Sequence, residues 1–261
     1  MRFGIPPIGT VAHEWFMAVA AITNDYEHAT ETALSYWIGC FGKGVLGITL
    51  TDTFGTPIFL RAFGKPIPRL SSALHSAATT ASSADAASHL ASTEPPIRAP
   101  PSDTAETDIT FAQAFTGVRQ DSGDPATFVH TLRAFYDSQG ITEQKSIVFS
   151  DSLNIDLCLK YKALSEAAGF APAFGVGTFL TNDFINLATG KKSVPLNIVI
   201  KLSSAAGRPA IKISDNVGKN TGDEETVGEV KRRLGYVEQE WVGVDEATRS
   251  EEHTSELQSP P

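Results

Sequence analysis

Cysteine is nearly absent from this chain: only Cys40 and Cys158 occur in 261 residues, far apart and in no C-x-x-C arrangement. That spacing excludes a disulfide framework and offers no zinc-binding pattern, so a reducing cytoplasm, with the nucleus also compatible, is the expected setting. Positive charge is short as well. Lys and Arg total 21 against 30 Asp and Glu, giving a net charge of −9 and a pI near 5.1. Nucleic acids and anionic membranes reward a basic surface through counterion release, so neither is an expected partner. Any phosphate bound here must be held locally, by backbone amides and a few aimed cations. Long apolar runs are missing too: residues 16–22 form the longest, far too short to span a bilayer, and MRFGIPPIGT has no signal-peptide core.

What is present is an ordinary globular balance, 41% hydrophobic and 20% charged. It falls into zones. Residues 1–63 and 111–247 alternate short apolar segments with amphipathic ones, a βα pattern. Residues 64–110 between them are dense in Ala, Ser, Thr and Pro, and bury too little apolar surface to offset their ordering entropy; they read as a disordered insertion. From Arg249 the run RSEEHTSELQSPP has no periodicity, and residues 248–261 read as an artefactual tail outside the fold.

Within the structured zones, Leu34, Trp37, Ile38 and Phe41 follow helical spacing, as do Phe128, Leu132, Phe135 and Tyr136. SIVFS at 146–150 reads as a buried strand, and Asn154 as the cap of a helix carrying Leu157, Tyr161, Leu164 and Ala168. LNIVIKLSS, AAGRP and AIKIS read as a hairpin, and Asp223, Glu224 and Glu225 start a last helix on Val227, Val230 and Leu234.

Polar groups recur where strands end. GTVAHEW at 9–15 places His13 at a strand's C-terminal end, with Glu14 as a candidate partner for its ring. A lone His there is most simply a hydrogen-bonded core residue, although a neutral imidazole nitrogen can also attack a phosphoryl group. TDTFGT at 51–56 ends a strand with Asp52, whose plain reading is a turn cap. GVRQDSGDP puts Arg119 and Asp121 on one face of an extended segment. The fork of an Arg suits carboxylate or phosphate, an Asp two residues on can hold ribose hydroxyls or an ion, and the plainer reading is an ion pair ahead of a helix start. FSDSLN repeats the design with Ser150, Asp151 and Ser152. FGVGTF supplies Gly175, Gly177 and Thr178, a phosphate-binding turn or simply a tight one. Lys201, Lys212 and Lys219 add cations whose default place is the solvated surface. The constellation outweighs its members: polar groups gathered at one rim of a parallel barrel suit a phosphosugar enzyme.

GTVAHEW, LTDTFGT, GVRQDSGDP, FSDSLN, FGVGTFLTNDF, PLNIVIKL and KISDNVGKNTGD, in this order, resemble the fungal-type nicotinate phosphoribosyltransferases over nearly all of residues 5–247 except the insertion. The resemblance implies an α/β fold, an incomplete irregular β/α barrel of the type II phosphoribosyltransferase kind. It implies a reaction of nicotinate with 5-phosphoribosyl-1-pyrophosphate to give nicotinate mononucleotide and pyrophosphate, with ATP as co-substrate and Mg²⁺ carried by the pyrophosphate, in NAD salvage. His13 matches the family's transient phosphohistidine. Asp121 and Asp151 would stabilise the cation-like ribosyl group, Arg119 would face a carboxylate or phosphate, and Asp52 would stand behind them. Gly175, Gly177 and Thr178 would hold the 5-phosphate, with Ser150, Asn154 and Lys212 among the substrate-binding residues. No specific metal ligands or oligomeric state are implied. Members carry an N-terminal region before the His motif, so the chain alone is expected to leave the barrel open and to be poorly stable and inactive. Nicotinamide or quinolinate as the base, or a ligand-binding remnant without activity, are the alternative readings.

Overall fold

The computed structural model describes residues 9–68, 109–182, 184–194, 200–216 and 219–237. The apolar segments expected as strands form one parallel sheet in the order β1 (Ile48–Leu50), β2 (Gly117–Gln120), β3 (Ser146–Phe149), β4 (Ala171–Phe174). Register runs Ile48 to Gly117, Gly117 to Ser146 and Ser146 to Ala171, so all four C-terminal ends lie at the same rim. Parallel neighbours need a crossover, and the intervening helices supply it. These are α3 (Thr56–Phe63) and α4 (Phe111–Ala114) after β1, α5 (Pro125–Ser138) after β2, and α6 (Ile155–Ala167) after β3. Ahead of the sheet stand α1 (His13–Thr23) and α2 (Ala29–Phe41); after β4 come α7 (Thr178–Asn182), the β5–β6 pair (Ser204–Ala205 with Arg208–Pro209) and α8 (Glu224–Leu234).

Local chemistry fixes the boundaries of these elements. Asp124, Asn154 and Asp223 each accept a backbone N–H from the first turn of α5, α6 and α8, as Asn and Asp do at N-caps. Thr110 and Gln113 form a reciprocal capping box on α4. The core lies against the sheet: Leu50, Val118, Ile147 and Phe149 are buried, with Phe111, Phe115, Leu132, Tyr136 and Phe170 around them. Phe149 stacks on Phe174 and Tyr161 at 5.6 and 5.4 Å between centroids.

The sheet is open, not a closed barrel, among the described residues. On the elements before and after β4 in the chain, apolar side chains are exposed: Ile155 and Leu159 on α6, Leu180 on α7, then Phe184, Ile185 and Leu187. No described helix is long and apolar enough to cross a membrane.

Several expectations are corrected. His13 does not end a strand; it is the first residue of α1, after an extended segment whose Val11 N–H donates to Ile48 O at 2.9 Å. Its N-cap, Ala12, has no side chain to mark the helix start. The hairpin is only two residues deep, closed by Ala206 and Gly207 at positive φ, the conformation of a type I′ turn. Its expected second arm instead docks on the end of β1: Ile213 N–H donates to Thr53 O at 2.7 Å and Ser214 N–H to Asp52 O at 3.1 Å. The insertion narrows at both ends, because Pro66 and Thr110 form an antiparallel bridge and Ile67 N–H donates to Ile109 O at 2.9 Å. Residues 69–108, most of LNIVIK, the first eight residues and the 248–261 tail lie outside the described residues.

Gly117 tests the packing of β2 on β3. A Cβ there would lie 2.3 Å from the Ser146 carbonyl oxygen, so the strands would have to part. Gly117→Ala is expected to lower the unfolding free energy by about 1–3 kcal/mol, read as a lower urea midpoint at constant m; an unchanged midpoint contradicts this packing.

Candidate functional site

The rim where β1 and β2 end is closed from the side by α1 and from above by residues 211–216. His13 lies at its centre, 3% exposed. Its Nδ1 is 3.0 Å from Thr53 Oγ1, and its Nε2 is 2.9 Å from Asp121 Oδ2 and 3.1 Å from Lys212 Nζ. One ring nitrogen cannot serve both neighbours at once. With the proton on Nε2, Asp121 accepts it; with the proton on Nδ1, Nε2 accepts from the Lys212 ammonium. The ring therefore stands between two tautomers. Glu14, the expected partner for the ring, makes no such contact and lies instead 3.9 Å from exposed Lys201.

Asp52 is fully buried, yet its side chain caps no turn. Ser122 Oγ donates to its Oδ2 at 2.6 Å, Lys212 Nζ is 3.3 Å from the same oxygen, and Oδ1 is 3.7 Å from His13 Nε2. Lys212, which on pattern alone belonged in solvent, is buried between Asp52 and His13 because a buried carboxylate requires a cation.

Arg119 and Asp121 meet as their spacing predicts, Nη2 to Oδ2 at 3.3 Å, and Arg119 Nη1 also donates to Thr10 Oγ1 at 2.8 Å. Ser150 Oγ donates to Asp121 Oδ1 at 2.5 Å. Burial alone would raise the Asp121 pKa. The His13 hydrogen bond, the Arg119 charge, the Ser150 hydroxyl and the Lys212 charge together hold its carboxyl far below the usual carboxylate range.

The remaining expected residues lie at the periphery. Asp151 is half-buried, with Lys219 Nζ 3.3 Å from its Oδ2. Gly175 backs onto Ser150, where a Cβ would meet Ser150 Cβ at 3.6 Å, while Gly177 faces open space. Thr178 opens α7. Asn154 is not free for a ligand through its oxygen, which caps α6 by accepting Leu157 N–H at 2.8 Å. His13, Asp52 and Asp121 offer ligand atoms within 4.8 Å of one another, the spacing of a metal site. The Lys212 ammonium, however, already occupies the neighbourhood with positive charge, so as built the cluster is a poor divalent-ion cage.

Sequence reasoning did not single out Asp215, Ser122, Thr53 or Thr56. Asp215 is buried and accepts Thr56 N–H at 2.7 Å and Thr56 Oγ1–H at 2.5 Å. Burial pushes its pKa up to about 6, against the lowering effect of the Thr56 hydrogen bonds, and the Asp52 charge adds to the rise. All four are small or short polar residues within the motifs, and only their burial distinguishes them.

Four parallel strands, three of them ending in acids, with an Arg and a buried His gathered at the same rim define an α/β protein with a polar site at its strand ends. The family model described as nicotinate phosphoribosyltransferase (NAPRTase) matches residues 1–75 and 100–238, and the chain belongs to that family. It is 40% identical over 251 residues to the nicotinate phosphoribosyltransferase of Saccharomyces cerevisiae, covering 95% of this chain and 48% of that protein. With the nicotinate phosphoribosyltransferase of Methanosarcina mazei it shares 33% over 227 residues, 87% of this chain and 44% of the relative. A crystal structure of a candidate nicotinate phosphoribosyltransferase from S. cerevisiae superimposes with a TM-score of 0.70 at 39% identity, over 90% of this chain and 47% of that one. That of the Vibrio cholerae nicotinate phosphoribosyltransferase gives 0.65 at 31%, over 97% and 48%. The chain thus spans about half the length of the relatives it matches.

The two perturbed carboxyls act on stability in opposite senses. Asp121, depressed in the folded state, contributes stability that is present above its unfolded value of 3.8 and lost as pH falls through the folded one. Asp215, raised to about 6, binds its proton more tightly folded than unfolded, so its effect is most favourable below about pH 4 and declines as pH rises to 6. Asp215→Asn, which cannot ionise, is therefore expected to raise stability by roughly 1–3 kcal/mol at pH 8, with the gain fading towards pH 4 in urea titrations. A gain independent of pH contradicts this assignment.

Proposed function

We propose that this chain is the part of a nicotinate phosphoribosyltransferase that carries the phosphorylated histidine and the ribosyl-binding rim. The whole reaction joins nicotinate to 5-phosphoribosyl-1-pyrophosphate, forms nicotinate mononucleotide and pyrophosphate, and is coupled to ATP hydrolysis in NAD salvage. The observation that carries the reading is His13 held between Asp121, Lys212 and Thr53 at the strand ends of a chain that belongs to this family.

In the Nδ1–H tautomer, anchored on Thr53, Nε2 offers a lone pair. Attack by that nitrogen on the γ-phosphorus of ATP forms an N–P bond and releases ADP, and the adjacent Lys212 ammonium offsets the added charge. His13 is buried, so the donor reaches it by displacing the more exposed Asp121 and Arg119 side chains. Asp121 stays ionised and suits a developing positive charge on the ribosyl carbon; Asp151 stands beside it at the end of β3. Arg119, whose Nη atoms now face Asp121 and Thr10, would turn its fork to a carboxylate or phosphate of a substrate that displaces them. The Gly175 N–H itself donates to Phe149 O at 2.8 Å, so backbone beyond it, towards Gly177, with Thr178, would hold the 5-phosphate in the open space at Gly177. Mg²⁺ would come with the substrate pyrophosphate, which suits a rim whose own cation position is taken by Lys212. Compartment and salvage role follow the same reading: a cytoplasmic enzyme, with the nucleus compatible, acting on small molecules.

The open β4 side and the exposed apolar side chains before and after it in the chain support the expectation that the chain alone is inactive. The test is to assay residues 1–247 alone and joined behind the N-terminal half of the S. cerevisiae relative, with nicotinate, nicotinamide and quinolinate in turn. The joined chain is expected to turn over nicotinate, to be stimulated by ATP, and to carry acid-labile phosphate that His13→Ala abolishes. Preference for another base overturns the substrate assignment, and phosphate surviving on His13→Ala overturns the role of His13. Separately, Arg119→Lys keeps the charge but loses the fork, and should lower kcat/KM by at least about tenfold; near-wild-type turnover would contradict a bidentate role.

A further inference from the structure

The segment that follows the short hairpin ties the ends of β1 and β2 to α1 and α3, and Asp215 is its most deeply committed residue. Lys212 reaches Asp52 and His13; Asn216 Oδ1 accepts Gly123 N–H at 2.7 Å after β2; Asp215 stands between them. The Asp215 carboxyl binds the start of α3 through Thr56 N–H and Thr56 Oγ1–H. Its own backbone N–H donates to Ser122 Oγ at 3.1 Å, and that hydroxyl donates onward to Asp52 Oδ2 at 2.6 Å. Thr56 Oγ1 is also 3.1 Å from Thr51 Oγ1, which lies next to Asp52 in the chain. Tyr236, at the end of α8, closes the arrangement: its hydroxyl donates to Ser214 O at 2.8 Å, and its ring lies where Gly55, at φ +98°, has no Cβ.

We infer that Asp215 is a positioning residue: by clamping residues 211–216 to the head of α3 it fixes its own amide under Ser122, and Ser122 in turn sets the Asp52 carboxylate against Lys212 and His13. The consequence is read at the ring. Ser122 satisfies Oδ2 of Asp52 and leaves the Lys212 ammonium shared between Asp52 and His13 Nε2. If Ser122 slips, Asp52, whose Oδ1 already has no hydrogen-bond partner, loses the hydroxyl on Oδ2 as well and draws Lys212 to itself, Nε2 loses its donor, and the ring shifts towards the Nε2–H tautomer that donates to Asp121. A carboxamide at 215 can replace the clamp, accepting Thr56 N–H through its oxygen and donating to Thr56 Oγ1 through its nitrogen, so charge is not required.

The inference concerns the site of the proposed function, but its test reads the imidazole directly and needs no turnover. The ring ¹⁵N signals of His13 would be recorded on the 261-residue chain and on Asp215→Ala, Asp215→Asn and Ser122→Ala, with thermal melts alongside. Asp215→Ala and Ser122→Ala should both shift the Nε2 signal towards the protonated form, and Asp215→Asn should restore the wild-type position. A lowered melting temperature in Asp215→Ala with unmoved ring signals would make Asp215 a stability residue only, and overturns the inference. So does an Asp215→Asn spectrum that matches Asp215→Ala. If Asp215→Ala does not fold, Ser122→Ala decides, since it cuts only the last link; an unshifted ring there overturns the inference equally. Should the joined chain fail to make nicotinate mononucleotide while these signals behave as expected, the proposed function fails and the positioning role stands.

Discussion

Asp52 has no solvent exposure at the end of β1, and a carboxylate there is tolerable only if cation and hydrogen bonds replace the water it has lost. Much of the rim follows from that constraint. Lys212 has to come in from the hairpin arm, so residues 211–216 dock on the 52–53 backbone instead of extending a free hairpin. Ser122 has to turn inward from the β2–α5 connection to satisfy Oδ2. His13 then meets an ammonium on one side and an ionised Asp121 on the other, and its two tautomers differ by which of them it serves.

The parallel sheet is what makes such a cluster possible. Because the four strands run in the same direction and in matched register, residues just past each strand end fall at one rim, although Asp52, Asp121 and Asp151 follow one another at separations of 69 and 30 positions in the chain. The core beneath includes side chains of the same strands, Val118, Ile147 and Phe149, the last stacked on Tyr161 of α6. The segment 211–216 joins packing to chemistry, with Ile211 and Ile213 in the core and Lys212 and Asp215 at the rim.

The sequence made the repeated units legible wherever local chemistry spoke clearly. Helical spacing marked α2, α5 and α6, and Asn154 and Asp223 marked helix starts, because those signals depend on near neighbours alone. His13 was misplaced onto a strand because Ala12 carries no capping side chain to announce α1. Lys212 looked solvated in the alternation AIKIS, since a strand covered on one face would show the same pattern; here both faces are covered. Asp215 was silent for a related reason: a carboxylate in a polar loop has no sequence mark of burial, and its partners, Thr56 and Ser122, are 159 and 93 positions away.

If the rim is one electrostatic unit, its members must be energetically coupled, and a double-mutant cycle between Asp52→Asn and Lys212→Met measures that most directly. Either change alone leaves a partner uncompensated, whereas the double variant removes both charges. Urea denaturation of the four proteins is expected to show the double variant less destabilised than the sum of the singles, by roughly 1–3 kcal/mol. Effects that add to within about 0.3 kcal/mol would contradict the coupling and dissolve the cluster into independent contacts.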